Sequence, residues 1–153
     1  SRRRQRQMCI RDRNKDGEVD SILAEDLPAP TGLTVRDGQL FVSDRSLGKI
    51  LRIAQNGQRL SEPEIVAENL VSPEGFDFFG RKLVVIEADL GDVTMIDSSG
   101  DKSLLAKIPP GTQAASELQP PSQVFNGVAV DDNGNVYVPG ETNRALYKIS
   151  NPF

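Results

Sequence analysis

The sequence predicts an all-β fold built from a repeated four-strand unit, and three observations predict it. The first is internal repetition. Residues 24–32 read AEDLPAPTG and residues 67–75 read AENLVSPEG, so an offset of 43 aligns Ala24 with Ala67, Leu27 with Leu70, Pro30 with Pro73 and Gly32 with Gly75. The second is patterning. Short runs of Val, Ile, Leu and Phe are separated by Asp37-Gly38, Asn56-Gly57 and Asp132-Asn133-Gly134. Branched and aromatic side chains suit a pleated strand, and Asn-Gly or Asp-Gly supplies the positive φ of a tight hairpin. The third is the lack of any useful window with apolar residues at helical spacing.

Each unit can be followed strand by strand. After Gly32 comes a short strand at 33–35. A second begins eight residues past the glycine, at 40–42, and Asp44 closes it. A third at 50–53 alternates with period two, and a fourth at 65–66 follows Gly57. The second unit repeats the plan at 76–78, 83–85 (closed by Glu87), 93–96 and, beyond Gly100, 104–105. A third unit opens at Phe125-Asn126-Gly127 and gives strands at 128–130, 136–138 and 146–149. Its glycine lies 52 residues after Gly75, and the excess falls in residues 109–123. That stretch is rich in Pro, Gln, Ser and Ala and reads as a loop insertion on the rim where the innermost strands begin, placed to act as a lid or as plain surface. Residues 18–23 are expected to be the fourth strand of a preceding unit.

Four antiparallel strands per 40 to 45 residues is the arithmetic of a β-propeller blade. The units begin near residues 27, 70 and 121, and residues 14–153 read as a partial propeller. About three four-stranded blades of a six-bladed ring are expected. The chain is then a fragment of a longer gene product, and alone its open blade faces and edges should make it associate or dissolve poorly.

Composition narrows the chemistry. The chain has 153 residues, no histidine, no tryptophan and one cysteine. A Ser-His-Asp or Cys-His nucleophile system, a His/Cys zinc site and an intrachain disulfide cannot be assembled from these residues. No apolar run approaches the ~18 residues of a membrane-spanning helix. Residues 1–13, SRRRQRQMCIRDR, hold six arginines against one Asp. The rest of the chain keeps twelve basic and twenty-one acidic residues, a net charge of −9. Such an acidic body disfavours nucleic acid, since phosphate contacts need clustered Lys and Arg. The leader resembles a translated sequencing-adapter read-through, an expected non-native segment that takes Cys9 with it.

The segment NGVAVDDNGNVYV, residues 126–138, with ETNRALYKI after it, resembles blades of the NHL-repeat and gluconolactonase/senescence-marker-protein/luciferin-regenerating families. EGFDFFGRKLVVIEADLGDVTMID, residues 74–97, is similar to the first-blade Glu-Gly-Pro-x-Trp pattern of the gluconolactonase group, with Phe76 and Phe78 replacing Pro and Trp. The resemblance covers residues 18–149 and implies a six-bladed propeller. The residue before each blade glycine is Thr31, Glu74 or Asn126. Such residues open the innermost strands and ring the channel mouth. The resemblance implies that Glu74 and Asn126 help to hold one divalent cation, calcium or magnesium, although Phe125 replaces the Pro of a Pro-Asn-Gly motif. Thr31 departs from a ligand pattern and is kept as a channel-mouth contact to substrate.

Carboxylate and amide oxygens are hard ligands, and a cation they hold can polarise a lactone carbonyl and acidify a water without any histidine. The expected activity is metal-dependent hydrolysis of a small lactone or ester. The alternative is a non-catalytic NHL-type scaffold whose rim binds a protein or glycan partner. An exported location is favoured by analogy with such propellers. Among other acidic residues, Asp12, Asn14 and Asp16 begin like a calcium loop, but Leu23 stands where the closing Glu is needed. Asp44 and Glu87 are expected to cap local backbone N–H groups. Asp77, Asp89 and Asp92 add acidity to one blade.

Overall fold

The computed structural model describes residues 17–109, 127–140 and 144–153. Among them the chain is all-β: eleven strands in three antiparallel sheets. The first sheet holds β1 (Pro30–Arg36), β2 (Gln39–Asp44), β3 (Lys49–Gln55) and β4 (Gln58–Ala67) in sequence order. The second holds β5 (Pro73–Phe79), β6 (Lys82–Glu87), β7 (Asp92–Ile96) and β8 (Lys102–Lys107), also in order. The third holds β9 (Ala129–Val130), β10 (Val136–Gly140) and β11 (Ala145–Ile149).

The turns form where the dipeptides ask for them. Asp37 and Gly38 have φ of 50° and 73°, and Asn56 and Gly57 have 50° and 75°. Positive φ at both central residues matches the right-handed twist of the flanking strands, which is why Asp-Gly and Asn-Gly stand there.

The sheets stack as blades. Leu83 and Val85 of β6 pack with Phe41, Ile50 and Phe76 towards the first sheet. Val84 and Ile86, on the opposite face of the same strand, pack with Val136 and Val138 of the third. Successive side chains point to opposite faces, and both faces are covered, so β6 is continuously apolar from Leu83 to Ile86 rather than alternating. The second blade thus fills two cores at once.

Residues 18–23 correct an expectation. No strand forms before Pro30 among the described residues. A strand needs a neighbour to take its ladder hydrogen bonds, and no described strand flanks this segment. Leu23, Ala24 and Leu27 instead lay their side chains on Val42, Leu51 and Ile53 at the outer face of the first blade. Leu33 and Val35 on β1 stay exposed.

The innermost strands β1, β5 and β9 lie side by side, and glycine sets their spacing. A Cβ on Gly32 would lie 2.4 Å from the Glu74 carbonyl oxygen, and one on Gly75 would lie 2.4 Å from Gly127 Cα. Neither distance admits a side chain, so the glycines that reveal the repeat are the points where neighbouring backbones touch. Side chains stitch the same seams: Thr34 Oγ1 donates to the Phe76 carbonyl at 2.7 Å, and Val130 N–H donates to Asp77 at 2.9 Å.

Candidate functional site at the start of the innermost strands

Glu74 is the second residue of β5, beside a register shift between Pro73 and Phe76. It is 5% exposed. Its Oε1 stands 3.5 Å from Arg45 Nη1, while its Oε2 is buried with no hydrogen-bond partner. Burial pushes its pKa up from 4.5 to about 7; Arg45 pulls against this, and the Asp89 charge adds to it. A buried carboxyl with one unmatched oxygen is costly unless something meets it, which is why such groups mark candidate sites.

Arg45 leaves the end of β2, in the neighbouring blade, and crosses the seam. Its Nη2 lies 3.3 Å from Asp89 Oδ1, and the Ser72 hydroxyl donates to Asp89 Oδ2. The backbone under Glu74 is held separately. Gly32 N–H donates to Ser43 Oγ at 2.8 Å, and the Ser43 hydroxyl donates to the Glu74 carbonyl at 2.6 Å. Ser43 is fully buried, so this bridge is shielded from water.

The expected site residues divide as follows. Thr31 joins the same network: its hydroxyl donates to the Pro73 carbonyl at 2.9 Å and lies 3.1 Å from Ser43 Oγ. Asn126 lies outside the described residues, as do residues 110–123 of the insertion and the loop around Asp12, Asn14 and Asp16. Asp44 accepts the N–H groups of Ala29 and Leu47, and Glu87 accepts Val71 N–H and the Thr94 hydroxyl. The expected local capping holds only for Asp44 at Leu47; Ala29 and Val71 reach their carboxylates from 15 and 16 positions away, and the Glu87 carboxylate meets no local backbone N–H among the described residues. Asp77 accepts Phe78 N–H and Val130 N–H, and Asp92 pairs with Lys107 at 3.0 Å.

Ser43 and Arg45 escaped the sequence reading. The signal was a break in the repeat: at an offset of 43, Ser43 aligns with Ile86 and Arg45 with Ala88. A polar residue standing where its sister blade is apolar was the clue.

The described residues do not by themselves fit a divalent cation. Glu74 Oε2 is a hard anionic oxygen of the right kind. Yet a guanidinium already faces the same carboxylate, and no group of three His, Cys, Asp or Glu that could hold a metal occurs among the described residues.

Cavities lie elsewhere. One of about 370 Å³ opens at the far end of the innermost strands, lined in part by Arg36, Asp77, Phe79 and Asp131. All four carboxylate oxygens of Asp77 and Asp131 there already accept hydrogen bonds. The unmatched group, rather than open volume, singles out the Glu74 end.

Stacked four-stranded antiparallel blades with their first strands innermost define a β-propeller-type fold, and comparison with known proteins agrees. A family profile described as SBBP, beta-propeller repeat, matches residues 124–148. A streptogramin B lyase structure is similar over 84% of this chain and 40% of that one, at 13% identity and a TM-score of 0.59. A catalytically inactive histidine-to-alanine variant of virginiamycin B lyase from Staphylococcus aureus, with quinupristin, is similar over 84% of this chain and 44% of that one, at 12% identity and a TM-score of 0.54. A protein of unknown function from Bacteroides thetaiotaomicron is similar over 86% of this chain and 37% of that one, at 17% identity and a TM-score of 0.58. The chain therefore spans less than half the length of these structures. No curated protein sequence matches it. No helix among the described residues is long and apolar enough to cross a membrane.

Proposed function

We propose that this chain forms part of the channel mouth of a propeller enzyme that hydrolyses a small lactone or ester, with Glu74 as the proton-transferring group. The observation that carries the reading is the buried, unpartnered Oε2 of Glu74 at the head of an innermost strand. A carboxyl that titrates near 7 is suited to act as base and acid in one cycle. Glu74 takes a proton from water as the water oxygen bonds to the carbonyl carbon. The ring or ester C–O bond then breaks, and the proton passes to the leaving oxygen, giving a hydroxy acid or an acid and an alcohol. This stretch has no histidine, and a carboxylate with a raised pKa supplies the same proton transfer.

The resemblance to the gluconolactonase group supports the substrate class and implies a divalent cation shared by Glu74 and Asn126. Arg45 is the feature that opposes the cation. The test uses the protein that carries this chain and a panel of small lactones and aryl esters. Glu74→Gln keeps the shape and removes the titrating group, and should lower kcat at least about 100-fold. Unchanged turnover in that variant, or no turnover of any member of the panel by the parent protein, overturns the reading.

A further inference from the structure

Arg45 is held more firmly than a surface arginine. Its own N–H donates to the Ala29 carbonyl at 2.8 Å. The Asp44 carboxylate grips the N–H groups of Ala29 and Leu47, so the turn that launches Arg45 is tied on both sides. The guanidinium then lies between Glu74 Oε1 and Asp89 Oδ1. The repeat supplies an independent observation. The offset of 43 puts Thr31 at the place of Glu74 and Ala88 at the place of Arg45. At the next seam the same two places are Ala88 and Asn126. Acid and cation therefore occur together, at one seam, and are neutral together at the other. That pairing marks Arg45 as the counter-ion of Glu74 rather than a solvated charge that happens to lie nearby.

We infer that Arg45 occupies the place a divalent cation would need, so that the channel mouth carries its own positive centre and engages the carbonyl oxygen of its ligand without a bound metal. The inference rests on the proposed function only for the class of ligand. Its physical core is simple. A guanidinium 3.5 Å from one oxygen of a carboxylate repels a dication approaching the other, and the burial of that carboxylate weakens the screening of the repulsion. Glu74 Oε2, nine-tenths buried and unpartnered, is then left for the ligand.

The experiment is a calorimetric titration of the chelator-stripped protein with calcium chloride and, separately, with magnesium chloride. The parent protein should show no saturable uptake that depends on Glu74. Arg45→Met should gain uptake at least about tenfold tighter than any seen in the parent, because an opposing charge next to the carboxylate has gone. The double variant Arg45→Met/Glu74→Gln should lose that gain. Uptake by the parent that Glu74→Gln abolishes would overturn the inference, and this comparison stands even if Arg45→Met does not fold. A folded Arg45→Met with no gain would overturn it too. Lactone turnover that a chelator abolishes and calcium restores counts against Arg45 but leaves the hydrolase reading intact. Absence of turnover sinks the hydrolase reading, while the titration still decides the role of Arg45.

Discussion

The two ends of the innermost strands hold carboxylates in opposite circumstances. At the start of β5, Glu74 is buried, faces a single guanidinium and has one oxygen that nothing in the described chain meets. At the far end, in the turn after β9, Asp131 accepts the N–H groups of Asn133 and Asn135, the Asn135 side-chain amide and the Tyr137 hydroxyl. Burial raises the first to about 7, and the Asn135 hydrogen bonds lead in lowering the second to about 2. The same functional group is tuned in opposite directions, by burial at one end and by the donors given to it at the other. Packing differs in parallel. Backbone meets backbone through Gly32, Gly75 and Gly127 at the Glu74 end, whereas Phe79 stacks on Phe153 at 4.7 Å at the Asp131 end. One end is tight and chemically unfinished. The other is stitched and satisfied.

The strongest way to break this contrast is to spread the tight end. Gly75→Ala sets a methyl group 2.4 Å from Gly127 Cα, and backbone on both sides has nowhere to move without parting β5 from β9. The expected cost is about 3 kcal/mol or more of unfolding free energy, measured by urea denaturation. A loss below about 1 kcal/mol would mean that the seam is looser than the glycines imply.

Next in size is the effect on turnover. Glu74→Gln should cost at least about 100-fold in kcat, while Asp131→Asn should leave kcat within about twofold and lower the melting temperature instead. Equal losses at the two ends would dissolve the distinction between an unfinished carboxyl and a finished one.

Much of this contrast could be read in the sequence, but unevenly. The blades could be read because Gly32 and Gly75, Asp37-Gly38 and Asn56-Gly57 are dictated by backbone geometry, which leaves a fixed residue type at a fixed spacing. Glu74 could be found because it precedes such a glycine. Its partners could not. Arg45 lies 29 positions before it and Ser43 31, so their roles follow from blade stacking and from no local pattern. Residues 18–23 misled because an apolar residue need not pair along an edge: Leu23 packs on the face of the first blade, while Val19 and Ile22 stay exposed. The roles of Asp44 and Glu87 followed only in part from their place at a strand end: Leu47 N–H is a local donor to Asp44, but Ala29 and Val71 donate from 15 and 16 positions away.

Ser43→Ala sharpens the same comparison on a smaller scale. It removes the hydroxyl that joins Gly32 N–H to the Glu74 carbonyl and strands both buried groups. The expected cost is about 1–3 kcal/mol in stability. Because the backbone under Glu74 is then free to shift, kcat should fall as well, and less than in Glu74→Gln. A variant that loses stability but keeps full turnover would make Ser43 a structural stitch alone.

The smallest effect is the pH dependence of stability, and here the two carboxylates predict opposite signs. Glu74 in the folded chain titrates at about 7, above its ordinary 4.5. The folded state thus holds that proton more tightly than the unfolded chain, so its contribution is complete below 4.5 and is lost as pH rises through about 7. Asp131 titrates at about 2, below its ordinary 3.8. Its contribution is present above 3.8 and is lost as pH falls through about 2. Urea unfolding across pH 2 to 8 separates the two. Glu74→Gln should gain on the parent protein between pH 4.5 and 7, because glutamine has no proton to give up. Asp131→Asn should flatten only the acid limb. A Glu74→Gln difference that stays constant across that window would mean the folded chain solvates this carboxylate as well as water does, and the unmatched oxygen of Glu74 would lose its claim to be the reactive one.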